Sequence, residues 1–204
     1  MTYDLNGLLR LTQDRIRPAA EMAARAFHDN PLSVYFAPDD SKRLKNQIAT
    51  FGGLLRRGLL YGEVYATSRN MEGLALWLPP DYQPVPPRLS FLARIWMSMF
   101  ADKEMLKRQR AFEEYAGEVR KRVVPGRHWY LQLLAVDPAL QGRGYSSRLL
   151  KPMLVRADRD GLPCYLETQA EKNVALYEHF GFRVAVEEDI PGSNIHSWAL
   201  VRGK

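Results

Sequence analysis

The chain has 204 residues, 46% of them apolar, 25% charged and 11% aromatic. Those proportions exclude a disordered, collagen-like or coiled-coil chain and leave room for one domain, with or without an insertion. Twenty-nine Lys and Arg against 23 Asp and Glu give a net charge of +6, an excess that suits anionic small molecules but forms no dense stripe like a nucleic-acid arm. The one cysteine, Cys164, cannot form an intrachain disulfide, which fits a reducing cytoplasm. No apolar run approaches the roughly 20 residues that cross a bilayer, and the first residues lack the basic start and apolar stretch of a signal peptide. Four scattered histidines and one cysteine offer no zinc set, so no metal is expected.

Residues 7–12 read as a short first strand. A helix over about 14–28 follows, with Pro18 tolerated in its first turn, and Asn30-Pro31 breaks it. Ser41 is placed as the N-cap of a second helix reaching Gly62. Residues 63–68 and 71–78 read as two strands of a hairpin turning at Arg69-Asn70. Prolines 79, 80, 84, 86 and 87 then stiffen the chain ahead of two helical stretches, about 88–101 and 103–121. Leu89, Leu92, Trp96 and Phe100 fall at helical spacing, an apolar stripe that reads as core or as the wall of a pocket. Pro125-Gly126 ends this region.

The last third is the most regular. It reads as strand 129–136, helix 145–160, strand 163–168, helix 172–180, and two closing strands over about 182–189 and 194–202. Leu149, Leu150, Met153, Leu154 and Ala157 share one side of the longer helix. Pro152 inside it removes the N–H that would bond the Arg148 carbonyl, so a kink is expected. Gly181 is placed as a left-handed cap of the shorter helix, with Phe182 packing back over its last turn. A parallel strand–helix–strand unit followed by further strands makes a mixed α/β sheet flanked by helices.

The stretch LAVDPALQGRGYSSRLL over residues 134–150 carries the chemistry. A strand runs into a loop with Gly142 and Gly144, and that loop opens a helix whose first turn holds the small residues Ser146 and Ser147. Uncovered amides at a helix start, with the dipole behind them and Arg143 nearby, make a site for phosphate oxygens. No Gly-Lys-Ser/Thr follows, so it is not a P-loop. The dinucleotide fingerprint fits better, through Gly142-Arg-Gly144 and Glu167 on the next strand. Against it, Ser147 stands where a third small glycine belongs, and Asp137 to Gln141 make the turn too long.

The pattern Gln141-Gly-Arg-Gly144-Tyr145-Ser146 resembles the acyl-CoA pyrophosphate loop of the GCN5-related N-acetyltransferase (GNAT) superfamily. The preceding strand end, Leu134-Ala135-Val136, and the later stretch from Leu166 through Asn173 and Tyr177 to Phe182 agree with it. Asn173 and Tyr177 lie four apart and share a helical face. Phe27-His-Asp-Asn-Pro31, Ala75-Leu-Trp-Leu-Pro79, Trp129-Tyr-Leu and Leu166-Glu-Thr168 further resemble the puromycin N-acetyltransferase branch.

The resemblance implies a six- to seven-stranded GNAT sheet over residues 1–204 as one domain, with 79–127 as a helical insertion walling the acceptor side. It also implies acetyl-CoA as co-substrate and direct attack of a small-molecule primary amine on its thioester. The Val136 N–H would polarise the carbonyl. Leu134, Ala135 and Val136 would hold the pantetheine arm, residues 142–147 the pyrophosphate, and Asn173 the arm or acyl region. Tyr177 is the expected general acid, since a phenol stays protonated at neutral pH. Relatives carry a Glu or His base at positions occupied here by Tyr130 and Gln132. Glu167 is the candidate base, with His128 as the start of a water relay. Cys164, in an apolar strand, reads as core.

Three functions follow: acetylation of a small amine, acetylation of a protein lysine or amino terminus, or acetyl-CoA sensing without turnover. No nucleic-acid or membrane partner is expected, and the last strands could pair at an edge between copies.

Overall fold

A computed structural model of the chain describes residues 3–5, 7–82 and 102–203. Among the described residues eight strands form one sheet: β1 (Tyr3–Asp4), β2 (Leu8–Arg10), β3 (Glu63–Ala66), β4 (Gly73–Leu78), β5 (Trp129–Val136), β6 (Cys164–Thr168), β7 (Arg183–Asp189) and β8 (His196–Arg202). Their spatial order is β1-β2-β3-β4-β5-β6-β8-β7. Only β5 and β6 run parallel, because a helix connects them and carries the chain back to the same end. The expected mixed sheet is therefore present, with the two-residue β1 as an additional strand. Six helices flank it among the described residues: α1 (Ile16–Ala26), α2 (Pro31–Phe36), α3 (Asp40–Tyr61), α4 (Lys103–Val123), α5 (Tyr145–Arg159) and α6 (Lys172–His179).

Strand periodicity divides the core between the two faces. Leu74, Leu76 and Leu78 of β4 join the cluster under α1 and α3, whereas Ala75 and Trp77 join the one under α5. The apolar stripe read on α5 is buried as expected, and Pro152 lies within that helix. Strand β5 alternates as far as Leu131. It then advances two residues, from Leu131 to Leu133, while β4 steps only from Trp77 to Leu76. Gln132 is thus the extra residue of a β-bulge, and Leu133 and Ala135 resume on the α1 face.

Several boundaries differ from the sequence reading for local reasons. The first helix opens with a 3-10 turn at Gln13–Arg15. Asn30-Pro31 ends α1 but also starts α2: the Asn30 side chain accepts from the Leu32 amide at 3.0 Å, and Pro31 occupies a first-turn position that needs no N–H. The cap of α3 is Asp39, whose carboxylate accepts from the Ser41 amide at 3.1 Å. Ser41 is the capped residue, not the cap, because the carboxylate two positions earlier reaches that amide first. At the end of α6, the amides of Gly181 and Phe182 donate to the carbonyls of Glu178 and Tyr177. Gly181 is left-handed at φ 82°, the Schellman arrangement expected there. The helix read over 88–101 lies outside the described residues.

Candidate active site

Strands β5 and β6 pair at Trp129↔Cys164 and Tyr130↔Tyr165 and nowhere beyond, so the sheet opens between them toward Val136. The Asp137 amide donates to the Glu72 carbonyl beside β4 at 2.9 Å. Alternation along a strand then turns the N–H and C=O groups of Val136 and Leu134 to the opposite edge, into the opening. Ala135 pairs with Leu74 of β4 and is buried against the core. Of the three residues expected to hold an extended ligand, two face the opening and Ala135 does not.

At the end of β5 the Gln141 side chain reaches back to the Val136 carbonyl at 3.4 Å. Gly142 and Gly144 follow with φ of 77° and 80°, and an added Cβ at either would meet nothing. Both glycines are therefore required by backbone conformation, not by crowding. Gly144 caps α5 with no side-chain acceptor, and the first helical bond runs from Arg148 N–H to the Gly144 carbonyl. That leaves the amides of Tyr145, Ser146 and Ser147 at the positive end of the helix without an intrahelical partner. Arg143 is exposed beside them. The cradle fits a pyrophosphate.

Glu167 projects from β6 beside the opening. The Tyr130 hydroxyl donates to its Oε1, while its Oε2 is buried without a partner. Burial pushes the carboxyl up to about 7, against the opposing pull of the Tyr130 hydroxyl, the Arg120 charge and the Tyr165 hydroxyl. Tyr130 is itself pushed well above a free phenol, by burial and then by Glu167, so it stays a donor. The Arg120 guanidinium of α4 lies 4.6 Å from the centre of the Tyr130 ring. Beside them is a cavity of about 70 Å³ whose apolar side is Leu78, Pro79, Pro80 and Tyr82 and whose polar side is Arg120, His128 and Tyr130.

His128 is half-buried in that wall. Its Nδ1 donates to the Gly126 carbonyl at 2.7 Å, which leaves Nε2 as the acceptor of a neutral ring. Burial favours that neutral form. Tyr177 is buried in the cluster on the α5 face, edge-on to Phe182 with ring centres 5.9 Å apart. Burial raises its phenol, and the nearby Glu167 raises it further. Asn173, a turn earlier, donates to the Thr168 hydroxyl at 3.3 Å. Cys164 is buried at the start of β6, with its thiol pushed up to about 12, and is core as expected.

Glu167 and Tyr177 thus approach the opening from opposite faces of the sheet. Sequence reasoning identified both, along with the loop, but missed the clasp between Tyr130 and Glu167 and the stacking of Arg120. Those residues are 37 positions apart or come from another element, and no spacing rule joins them. Among the described residues no group of His, Cys, Asp and Glu could hold a metal ion, and no helix is long and apolar enough to cross a membrane.

Comparison with known proteins bears on the family and the fold. The acetyltransferase (GNAT) family model matches residues 12–182. An uncharacterized N-acetyltransferase of Schizosaccharomyces pombe is 28% identical over 175 residues, 81% of this chain and 70% of that protein. Two solved structures share the fold. One is a histone acetyltransferase HPA2 and related acetyltransferase from Corynebacterium glutamicum, with TM-score 0.64, 22% identity, and coverage of 96% of this chain and 94% of that one. The other is a mosquito arylalkylamine N-acetyltransferase like 5b, with TM-score 0.63, 16% identity, and coverage of 97% and 99%.

Proposed function

Since this chain belongs to the GNAT acetyltransferase family, we propose that it acetylates the primary amine of a small molecule, with Glu167 as general base. The observation that carries this reading is the state of Glu167: Tyr130 holds one oxygen, and the other is buried, unpartnered and near pH 7 in affinity for a proton. An amine attacks only when neutral, and a base matched to the working pH removes its proton most effectively. Acetyl-CoA, when bound, supplies the activated thioester. The arylalkylamine acetyltransferase of similar fold is in keeping with a small acceptor, as is the small cavity beside Tyr130.

The remaining residues divide the work by position. The amides of Tyr145, Ser146 and Ser147, reached through Gly142 and Gly144, bind the pyrophosphate, with Gln141 bracing the loop and Arg143 adding charge. The outward backbone groups of Leu134 and Val136 hold the pantetheine arm as an added strand would. Strand β5 runs from Tyr130, which holds Glu167, past the bulge at Gln132 to Leu134 and then Val136. The Leu134 amide is therefore nearer to Glu167 along the strand than that of Val136. An amine touching Glu167 spans the shorter interval, so in this reading the Leu134 N–H stabilises charge on the carbonyl oxygen, a role first expected of Val136. Asn173 lies beside the arm, in contact with Thr168.

Tyr177 donates to the departing sulfur. Its phenol is raised partly by the negative charge of Glu167. Once Glu167 has taken the amine proton that charge is gone, and Tyr177 becomes a stronger acid at the step that needs one. Residues 79–127 act as the acceptor wall within a single domain. The puromycin N-acetyltransferase-like branch belongs to the same reading, because its Trp129-Tyr-Leu and Leu166-Glu-Thr168 segments contribute Tyr130 and Glu167 to the site.

The test is release of the CoA thiol from acetyl-CoA across aminonucleosides, arylalkylamines, polyamines, amino acids and lysine peptides, with the acetylated product identified by mass spectrometry. Turnover of one class of small amine is expected. Turnover of the peptides alone would make this a protein acetyltransferase. Calorimetric binding of acetyl-CoA with no turnover would make it a sensor.

A further inference from the structure

Among the described residues Arg120 is the one charged group lining the cavity beside Tyr130, and no carboxylate is in ion-pair contact with it. It makes no ion pair and no side-chain hydrogen bond among the described residues, although Arg122, two positions along the same helix, pairs with Glu188 at 2.8 Å. Residues 83–101, which follow the proline wall, contain no Asp or Glu and so cannot supply a carboxylate partner. A half-buried guanidinium with no hydrogen-bonded anion is compensated only by the Tyr130 ring face and by the charge of Glu167 beyond it, and its planar fork is shaped to take a carboxylate or phosphate in two hydrogen bonds.

The two charges of the site are both attached to Tyr130. Arg120 lies over the ring, 4.6 Å from its centre, and Glu167 accepts from the hydroxyl at its tip. The cavity at the Arg120 end is about 70 Å³, roughly the share of two liquid waters. That room takes a carboxylate or a phosphate oxygen pair. Its other titratable members do not compete for the role: His128 is held neutral by burial, and Tyr130 keeps its proton.

Building on the acetyltransferase reading above, we propose that the acceptor is a zwitterion: its amine goes to Glu167, and an anionic group on the same molecule, one tyrosine ring away, goes to Arg120. The class is that of amino acids and phosphorylated amines rather than simple alkyl- or arylalkylamines.

The test compares matched acceptors that differ in the anion alone: phenylalanine with phenethylamine, β-alanine with propylamine, and phosphoethanolamine with ethanolamine. The first two pairs report a carboxylate and the third a phosphate. In at least one pair the anionic member is expected to have a kcat/KM more than tenfold higher, as a charge-assisted contact supplies. In Arg120→Gln that ratio falls toward one, and Arg120→Lys restores part of it. A merely structural role for Arg120 would lower both members of a pair alike and leave the ratio standing, which overturns the proposal. So does a wild-type enzyme that turns over the neutral members as well as or better than the anionic ones, a result that leaves the acetyltransferase reading intact. Silence with every amine, charged or neutral, overturns that reading and this inference with it.

Discussion

The loop at 141–147 and the cluster around Glu167 flank the same opening in the sheet, but the first is made of backbone and the second of side chains. The loop owes its shape to Gly142 and Gly144 and its chemistry to amides at a helix start. Everything it needs lies within seven consecutive residues, and it stands exposed. The cluster takes Tyr130 from β5, Glu167 from β6 and Arg120 from α4, and only the fold brings the three together. A site of amides tolerates changes of side chain as long as its conformation survives. A site of buried side chains is sensitive to the loss of a single oxygen.

The sharpest way to break that contrast is Glu167→Gln, which keeps the volume and the acceptor for Tyr130 but removes the base. A loss of about 10²- to 10⁴-fold in kcat is expected. The wild-type kcat/KM should climb with pH and level off above about 7, and the variant should lack that limb. An amine that itself titrates outside this window makes the measurement clean. An unchanged profile would move the base elsewhere. Tyr177→Phe follows, with kcat lowered about 10²-fold, mainly for chemistry rather than for acetyl-CoA binding, as single-turnover rates would separate.

The same carboxylate predicts a stability effect of opposite sign. The folded chain holds the Glu167 proton more tightly than the unfolded chain between the ordinary value of 4.5 and about 7. Stability therefore falls as pH rises through that interval. At pH 8 Glu167→Gln should be more stable than the wild type by about 1–3 kcal/mol, and the gain should vanish below pH 4.5. Urea titrations at the two pH values check it. On the loop side, Gly144→Ala forces a side chain into a left-handed position at φ 80°, at a cost of about 1–2 kcal/mol. Acetyl-CoA affinity should weaken about tenfold by calorimetry, with little change in pH profile. Smallest of all is Arg25→Ala. It removes a 2.7 Å ion pair to Asp137 at the strand end, half exposed on the arginine side, and should lower stability by less than about 1 kcal/mol.

The contrast also explains what could be read from the chain before its structure. Period-two and helical spacing placed β3 to β8, α1 and α3 to α6 within a few residues, because each is set by its own neighbours. The left-handed glycines of the loop at 142 and 144 and the glycine cap at 181 were legible for the same reason. The bulge at Gln132 was not, since it exists only relative to β4. Helix α2 was hidden because an Asn-Pro pair reads as a stop although it also satisfies the rules for a start. Tyr130 registered only as a missing base, and its bond to Glu167 comes from a parallel register that no local pattern encodes. Arg120 was one more charge on a helix until the fold laid it on a ring.

Cys164 has a practical consequence. The thiol reagents that would detect released CoA meet no competing sulfhydryl in the folded enzyme, because its only cysteine is buried and its thiol is held near 12, far from the thiolate form that reacts. The protein is silent in its own assay. When β6 opens, that silence ends with one equivalent of dye, so the rate of labelling under native conditions counts the excursions of the sheet's centre.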